Sequence, residues 1–323
     1  MSTLYLDRRE LALKLEGRAL VIYASGERQG TVPTHLLDRI VMHSAVALDS
    51  SLLARLADDG IAIQLHGGQR GAKVALIHGR GPGDATRRIG QYRAYEDDAW
   101  RRRWARLLVL AKVKGQVGLL RQALAERPEQ RRPLTQGLER LGQARERLRQ
   151  EPQPAIARLR GLEGAAAAAY FQAYGALFAP SLGFGGRNRR PPRDPVNAVL
   201  SLGYTLLHFE AVRACQTVGL DPFIGFFHEL DPGRESLACD LVEPLRPRVD
   251  AWAWSLFRAE ELREDHFDRH GEACLLGKAG RGHFYAAFEP MAQLPRRWLR
   301  RVTRRLAQGL HERGRVTLPS EWP

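Results

Sequence analysis

The chain has few cysteines and lacks long apolar runs. Its 323 residues include three cysteines, and no pair of them forms a Cys-x-x-Cys motif. An odd number of widely spaced cysteines argues against a disulfide framework, and a zinc site of the Cys-x-x-Cys type is excluded. No run reaches the roughly 18 apolar residues that span a bilayer. Residues 7–10 are charged where a secretory signal would be apolar. We therefore expect a cytoplasmic protein that does not engage membranes.

Several catalytic motifs are also missing. Residues 67–73 and 277–278 do not fit the Gly-x4-Gly-Lys-[Ser/Thr] pattern, and no Gly-x-Ser-x-Gly sequence occurs. His266 and His270 have the spacing of a zinc-binding pair, but Phe267 stands where a zinc protease has glutamate. A solvated helix face is the better interpretation of this pair. The sequence thus disfavours a P-loop nucleotidase, a serine hydrolase of the elbow type and a zinc protease.

The distribution of charge points to a polyanionic partner. The chain has 50 Lys and Arg residues against 36 Asp and Glu residues, a formal net charge of +14. Residues 1–85 contain 10 basic and 9 acidic residues, so the remainder contains 40 and 27. A basic surface binds polyanions by releasing counterions, and nucleic acid is the commonest such partner. The alternative is an arginine-rich composition that reflects a GC-rich genome.

The periodicity of apolar residues changes near residue 85. Before it, short apolar runs separated by charged and glycine-containing turns predict strands at 4–6, 12–15, 20–23, 39–42 and 61–65, with one short capped helix at 50–57. After it, apolar residues recur every three or four positions. They predict helices that include 155–178, 196–218 and about 296–312, and a loop rich in glycine and proline at 183–195. We therefore place a domain boundary near residue 85.

Four polar residues in apolar surroundings form the strongest candidate site. Glu163 lies in a run of small apolar residues, where a carboxylate is costly unless it is paired or binds a metal. His228 ends the apolar segment 219–228, and Asp240 and Glu243 share a face if their segment is helical. The alternatives are a surface position for Glu163 and a hydrogen-bonded structural role for His228. Two or three carboxylates with one imidazole suit Mg²⁺ or Mn²⁺ better than Zn²⁺.

Four ordered blocks resemble a known family, the CRISPR-associated adaptation integrase, which is the universal first Cas protein. The blocks cover residues 160–165, 189–204, 219–228 and 234–247, and Lys112-Val-Lys-Gly-Gln116 resembles a weaker element of the family. The resemblance extends over nearly the whole chain. Any one block is weak alone, but their number and order make the resemblance specific.

The resemblance implies an α+β protein with two domains. An N-terminal β-sandwich-like domain, residues 1–85, would mediate dimerisation, and an all-α catalytic domain, residues 86–323, would hold the metal. Glu163 and His228 would be ligands of Mg²⁺ or Mn²⁺ together with the acidic pair, and whether Asp240 or Glu243 binds directly is left open. The homodimer would assemble with a small second Cas protein, Cas-two. A DNA 3′-hydroxyl of a short protospacer fragment would attack CRISPR repeat DNA, and branched DNA would also be cut.

Arginines supply the predicted DNA contacts. Those on the glycine- and proline-rich loop, in the fourth block and on the last helix are Arg187, Arg189, Arg190, Arg193, Arg246, Arg300, Arg301 and Arg304. On the last helix, the apolar stripe is expected at Trp298, Val302, Leu306 and Leu310, with the arginines mainly off it. The alternative for that helix is a purely solvated face. Tyr170 and Tyr204 fit a substrate role or core packing equally well.

Two other functions compete with array integration. One is a nucleic-acid-binding scaffold whose metal site is vestigial and whose arginines wrap DNA. The presence of all four candidate residues, Glu163, His228, Asp240 and Glu243, argues against it. The other is a stand-alone structure-selective nuclease or mobile-element integrase of the same fold, which the sequence does not separate from array integration.

Overall fold

The computed structural model describes residues 2–67, 73–77, 79, 85–188 and 191–315. The chain divides into two compact units, Met1–Gly83 and Asp84–Pro323. The first contains most of the strands and the second most of the helices, so the protein is of the mixed α+β type. Among the described residues, no helix is both long and apolar enough to cross a membrane.

In the first unit, the described strands form two four-stranded sheets. The strands are β1 (Ser2–Leu6), β2 (Leu11–Glu16), β3 (Ala19–Ala24), β4 (Glu27–Pro33), β5 (Leu37–Met42), β6 (Val46–Ala47), β7 (Ala62–Gly67) and β8 (Lys73–Ile77). One sheet has the order β1-β5-β7-β8, with β8 antiparallel to β7 and the other neighbours parallel. The second has the order β4-β3-β2-β6, in which β2, β3 and β4 form an antiparallel meander.

One hydrophobic cluster joins both sheets and the helix of this unit. It includes Leu13 and Leu20 from one sheet and Ile40 and Ile63 from the other. Helix α1 (Ser50–Asp58) adds residues one helical turn apart, including the fully buried Leu56. The helix begins where the Asp49 carboxylate accepts a hydrogen bond from the Leu52 amide at 2.7 Å, the usual arrangement of an acidic N-cap.

The second unit is mostly helical in its described part. Its helices are α2 (Thr86–Glu96), α3 (Asp98–Glu126), α4 (Arg131–Gln150), α5 (Ile156–Gly175), α6 (Pro195–Thr217), α7 (Ser236–Val242), α8 (Arg246–Arg258) and α9 (Lys278–Gly314). Helix α3 packs against α4 and α5, and α6 packs against α7, α8 and α9.

A β-hairpin interrupts this helical unit, whereas an all-helical domain was expected. Strands β9 (Phe267–His270) and β10 (Ala273–Leu276) pair antiparallel, and Gly271 between them has a φ of 60°, which glycine adopts without strain. His270 therefore lies on a strand, and His266 ends a 3₁₀ turn. The interpretation of these two histidines as a solvated helix face is wrong, because the turn at Gly271 favours a hairpin here.

Helix α9 is longer than its sequence pattern predicts. It has 37 residues and begins at Lys278, whereas a start near residue 296 was expected, so Pro290 and Pro295 lie inside it. The expected stripe is also rotated, because Trp298 and Val302 are half-buried while Leu299 and Thr303 are buried. Helix α2 approaches α9 so closely that a Cβ at Gly90 would lie 1.8 Å from the Leu310 carbonyl oxygen.

Candidate metal centre

The candidate residues come from four neighbouring parts of the second unit. Glu163 lies in the first half of α5, and His228 lies on the loop between α6 and α7. Asp240 lies on α7, and Glu243 opens the 3₁₀ turn Glu243–Leu245 directly after it. Lys112 on α3 meets two of them. Because α3 packs against α5, α7 and this turn, the buried face of α3 is where the four segments converge.

Asp240 is fully buried and is held by four hydrogen bonds. Its Oδ2 accepts from the amides of Phe226 and Phe227, at 2.6 and 2.9 Å. Its Oδ1 accepts from the amide of His228 at 2.9 Å and lies 2.7 Å from His228 Nδ1. A buried carboxylate is tolerated when donors satisfy it in this way. Asp240 therefore fixes both the loop and the ring of His228.

This arrangement determines which imidazole nitrogen of His228 is available. A carboxylate accepts hydrogen bonds, so the proton of the neutral ring is assigned to Nδ1, next to Asp240. The lone pair then resides on Nε2, which lies 3.9 Å from Glu243 Oε1. A carboxylate behind an imidazole is the usual support of a histidine metal ligand.

Lys112 lies between the two glutamates. Its Nζ contacts Glu163 Oε1 and lies 2.6 Å from Glu243 Oε2. Arg246 Nε donates to Glu243 Oε1 at 2.9 Å. Glu243 Oε2 is buried. Among the described residues it has no hydrogen bond of good geometry, and the cation that approaches it is the Lys112 ammonium group. The site thus has two carboxylates that share one cation, and an imidazole nitrogen lies beside the second carboxylate.

The glutamate and the lysine are both held in their charged forms. Burial opposes ionisation of Glu243, but Arg246 and Lys112 outweigh it and lower its pKa to about 2. Burial likewise disfavours charged Lys112, but Glu243 and Glu163 outweigh it and raise the pKa of its ammonium group. Among the described residues, no three His, Cys, Asp or Glu side chains are grouped closely enough to hold a metal as they stand. Carboxylate oxygens and an imidazole nitrogen are nevertheless ligand types that suit Mg²⁺ or Mn²⁺. In this structure the Lys112 ammonium group links the carboxylates of Glu163 and Glu243.

The two tyrosines belong to a buried network around Asp250. The Tyr170 hydroxyl donates to Asp250 Oδ2 at 2.8 Å, and Tyr204 donates to Oδ1 of the same carboxylate. Tyr174 donates to the Asp250 carbonyl at 2.8 Å. Burial raises the pKa of Asp250 to about 6, against the lowering effect of the tyrosine hydrogen bonds. Both Tyr170 and Tyr204 are buried, so their contacts are those of core residues.

Two of the eight predicted DNA-binding arginines are engaged inside the fold. Arg187 donates to Asn197 Oδ1 at 2.7 Å and to Ser201 Oγ at 3.0 Å. Arg246 pairs with Glu243, and its guanidinium group lies 4.5 Å from the centre of the Tyr204 ring. Arg187 thus fixes the loop before α6, and Arg246 fixes the turn that carries Glu243.

The remaining predicted arginines lie on the surface or outside the described residues. Arg193 is exposed and pairs with Glu272 at 3.1 Å. Arg300, Arg301 and Arg304 are all exposed on α9. Arg189 and Arg190 lie outside the described residues.

Sequence reasoning missed the central position of Lys112. The residue was noted as part of a weak sequence element but was not assigned to the site. A signal was available, because a lysine at 112 falls on the same helical face as Leu108, Val109 and Val113, all of which are buried. A buried lysine requires an anionic partner, and the candidate glutamates are the partners found.

Known proteins resemble this chain over most of its length. The family model described as CRISPR associated protein Cas1 matches residues 4–290. CRISPR-associated endonuclease Cas1 1 of Thermodesulfovibrio yellowstonii is 37% identical over 302 residues, covering 92% of this chain and 93% of the relative. CRISPR-associated endonuclease Cas1 2 of Rhodospirillum rubrum is 34% identical over 309 residues, covering 92% and 88%.

Solved structures show the same fold at lower identity. A Cas1 protein from Thermotoga maritima superposes with a TM-score of 0.80 at 22% identity, covering 96% of this chain and 97% of its own. A casposase bound to integration product gives a TM-score of 0.79 at 22% identity, covering 96% and 91%. A chain of a Cas6-RT-Cas1–Cas2 complex gives 0.80 at 20% identity, covering 96% of this chain and 35% of its own.

Proposed function

Because the chain belongs to the CRISPR-associated Cas1 family of endonucleases and integrases, we propose that it joins short DNA fragments to a CRISPR array. The reaction would be a metal-dependent transesterification, in which a DNA 3′-hydroxyl attacks a phosphodiester at the repeat boundary and displaces a 3′-oxygen. The same centre would cut branched DNA. The observation that carries this proposal is the position of Glu243, which shares the Lys112 ammonium group with Glu163 and lies 3.9 Å from the Nε2 atom of His228.

Glu163, His228 and Glu243 are the proposed ligands of Mg²⁺ or Mn²⁺. A bound divalent ion would polarise the phosphodiester and help to activate the attacking hydroxyl. Asp240 is proposed to orient His228 from behind, because its oxygens already accept hydrogen bonds from three backbone amides and the ring. Arg246 holds the Glu243 carboxylate in place from the opposite side to Lys112.

The proposed partners are DNA, a second copy of the chain and the small Cas2 protein. The similarity to a Cas6-RT-Cas1–Cas2 complex and to a casposase bound to integration product supports the first and last of these. Residues 1–85, whose two sheets share one core and are proposed to stack as a sandwich, are nearly neutral. A nearly neutral surface suits protein contacts better than DNA contacts, so this domain is proposed to dimerise. Residues 86–323 form the proposed catalytic domain.

An integration assay tests the proposed function directly. Labelled DNA with free 3′-hydroxyls is incubated with a plasmid that carries a CRISPR array, Mn²⁺ and the protein, with and without Cas2. We expect labelled products at the repeat boundaries when Cas2 is present. Cleavage of branched DNA without any array joining would instead support a stand-alone nuclease, and joining at arbitrary sites without Cas2 would support a mobile-element integrase.

The exposed arginines of α9 are expected to contribute to DNA binding. Replacing Arg300, Arg301 and Arg304 with alanine should weaken the binding of all DNA sequences alike. It should reduce the slope of log K against log salt by up to about three, because each phosphate contact releases about one counterion. Saturating DNA should restore much of the cleavage, since the metal centre is untouched.

A matched triple variant separates local contacts from the loss of net charge. Arg132, Arg140 and Arg147 are equally exposed on α4. Their replacement by alanine removes the same charge and should change the salt slope less. If the α9 variant retains the parent affinity and slope, that face is only solvated and DNA follows another path.

A further inference from the structure

Lys112 is buried at the one place where a metal ion is proposed to bind. Its side chain is 10% exposed and rises from the apolar face of α3. Its ammonium group contacts Glu163 and lies 2.6 Å from Glu243, so it links two of the three proposed ligands. Lys114, two residues later on the same helix, is exposed. The buried ammonium group is therefore a feature of the site and not of the helix in general.

Lys112 is one of two cationic side chains in direct contact with the proposed ligands. Lys112 pairs with Glu163 and Glu243, Arg246 pairs with Glu243, and the Asp250 carboxylate also lies within electrostatic reach of both cations. Lys112 adds one positive charge beside the proposed position of the ion, and its removal would leave this set one unit more negative. In a buried site, such a difference of one charge has a large effect on cation affinity.

We propose that Lys112 is a resident cation that competes with the divalent metal for Glu163 and Glu243. This inference rests on the proposed metal centre. In the absence of metal, the ammonium group keeps the two carboxylates together and stabilises the fold. The ammonium group contacts one oxygen of each glutamate, so a divalent ion bound by both carboxylates would lie close beside it, and repulsion between the two cations should make the lysine withdraw. Lys112 therefore weakens metal binding in the free protein.

This competition would couple metal loading to DNA binding. A phosphate group that enters the site offers the displaced ammonium a new anionic partner, and it also offsets the positive charge that the ion adds. DNA should therefore tighten metal binding, and metal should tighten DNA binding by the same factor. The coupling should be weaker when residue 112 carries no charge.

Titration with Mn²⁺, followed by the electron paramagnetic resonance signal of the free ion, measures the competition without any catalytic readout. Lys112→Met in the full-length protein should lower the Kd for Mn²⁺ by about tenfold or more, because a like charge is removed from beside the ion. Lys114→Met, the same chemical change on the exposed face of α3, should leave the Kd unchanged. In metal-free buffer, Lys112→Met should lower the midpoint of thermal unfolding, and Mn²⁺ should raise that midpoint more than in the parent protein.

Lys112→Arg provides a second test that does not depend on the folding of the methionine variant. It retains the positive charge, so its Kd should stay within about threefold of the parent value. A short duplex without 3′-hydroxyl groups should tighten Mn²⁺ binding more in the parent than in Lys112→Met. An equal effect of the duplex in both would refute the coupling.

The outcomes separate this inference from the proposed centre. If the parent and Lys112→Met bind Mn²⁺ with the same Kd, and Glu163→Gln weakens both, the centre stands and the competition is refuted. Weaker binding by Lys112→Met would show that the lysine orients the ligands instead of competing with the ion. If neither protein binds Mn²⁺ at millimolar concentration, the metal centre and the competition are both overturned.

Discussion

Replacing Glu163 with alanine should reduce strand transfer by at least about a hundredfold while leaving DNA affinity, measured in metal-free buffer, nearly unchanged. Glu163 is a proposed ligand of the ion that would stabilise negative charge on the reacting phosphate, and loss of such stabilisation has an effect of this size. DNA affinity comes mainly from phosphate contacts spread over the basic surface, which the substitution does not alter. The Glu163 side chain is partly exposed, and Lys112 retains Glu243 as a partner when Glu163 is removed, so the fold should survive.

Integration yield and DNA affinity should be measured at the same salt concentration on the same preparation. Glu163→Gln should lose strand transfer as well, since an amide keeps the shape but not the charge. Glu139→Ala, which removes an exposed carboxylate from α4, should retain both properties. Parallel loss of DNA binding and strand transfer in a folded Glu163→Ala protein would assign Glu163 a structural role.

Replacing Asp240 with alanine should destabilise the protein more than any other change at the site. Three backbone amides and the His228 ring would lose their acceptor inside the core. Each buried donor left unsatisfied costs about 1–3 kcal/mol, so the free energy of unfolding should fall by about 3 kcal/mol or more. The 226–228 loop should loosen at the same time, and His228 should lose its fixed orientation.

Chemical denaturation in metal-free buffer measures this loss. Glu163→Ala is the appropriate control, because it also removes a carboxylate from the site but leaves no row of backbone amides without an acceptor. A loss below about 1 kcal/mol for Asp240→Ala would place it among ordinary substitutions. That result would contradict the role of Asp240 as the anchor of the loop.

The family and the mixed α+β class were predictable from sequence, and both are confirmed. The four blocks name residues that lie together in space, although each block is remote from the others in the chain. A short apolar run between charged turns indicated the strand at 12–15, and helical periodicity indicated the helix that carries Glu163. The spacing of apolar residues reflects which face of a strand or helix is buried, so these elements can be predicted directly from the sequence.

The relation between Asp240 and Glu243 could not be derived from their spacing. The i, i+3 pattern predicted two carboxylates on one face, sharing a cation. In the structure α7 ends at Val242, Asp240 accepts hydrogen bonds from the 226–228 loop, and Glu243 interacts with Lys112 and Arg246. Three of the four donors that satisfy Asp240 are backbone amides of the 226–228 loop, which leave no trace in side-chain identity.

Other differences arise where tertiary packing overrides local preference. The last helix was expected to begin near residue 296, yet α9 begins at Lys278 and includes Pro290 and Pro295, and its packing against α2 and α6 supports the longer helix. The hairpin at 267–276 was missed because its strands are only four residues each. Lys112 was not assigned to the site because its partners belong to other helices.

Anomalous scattering from a crystal soaked in Mn²⁺ tests the central claim most directly. The account predicts one strong peak per chain in the second unit, bonded to carboxylate oxygens of Glu163 and Glu243 and to Nε2 of His228. Asp240 should remain hydrogen-bonded to His228 Nδ1, and Lys112 should have moved away from the glutamates. A peak elsewhere, for example at the His266 and His270 pair, with Lys112 still between Glu163 and Glu243, would contradict the proposed centre.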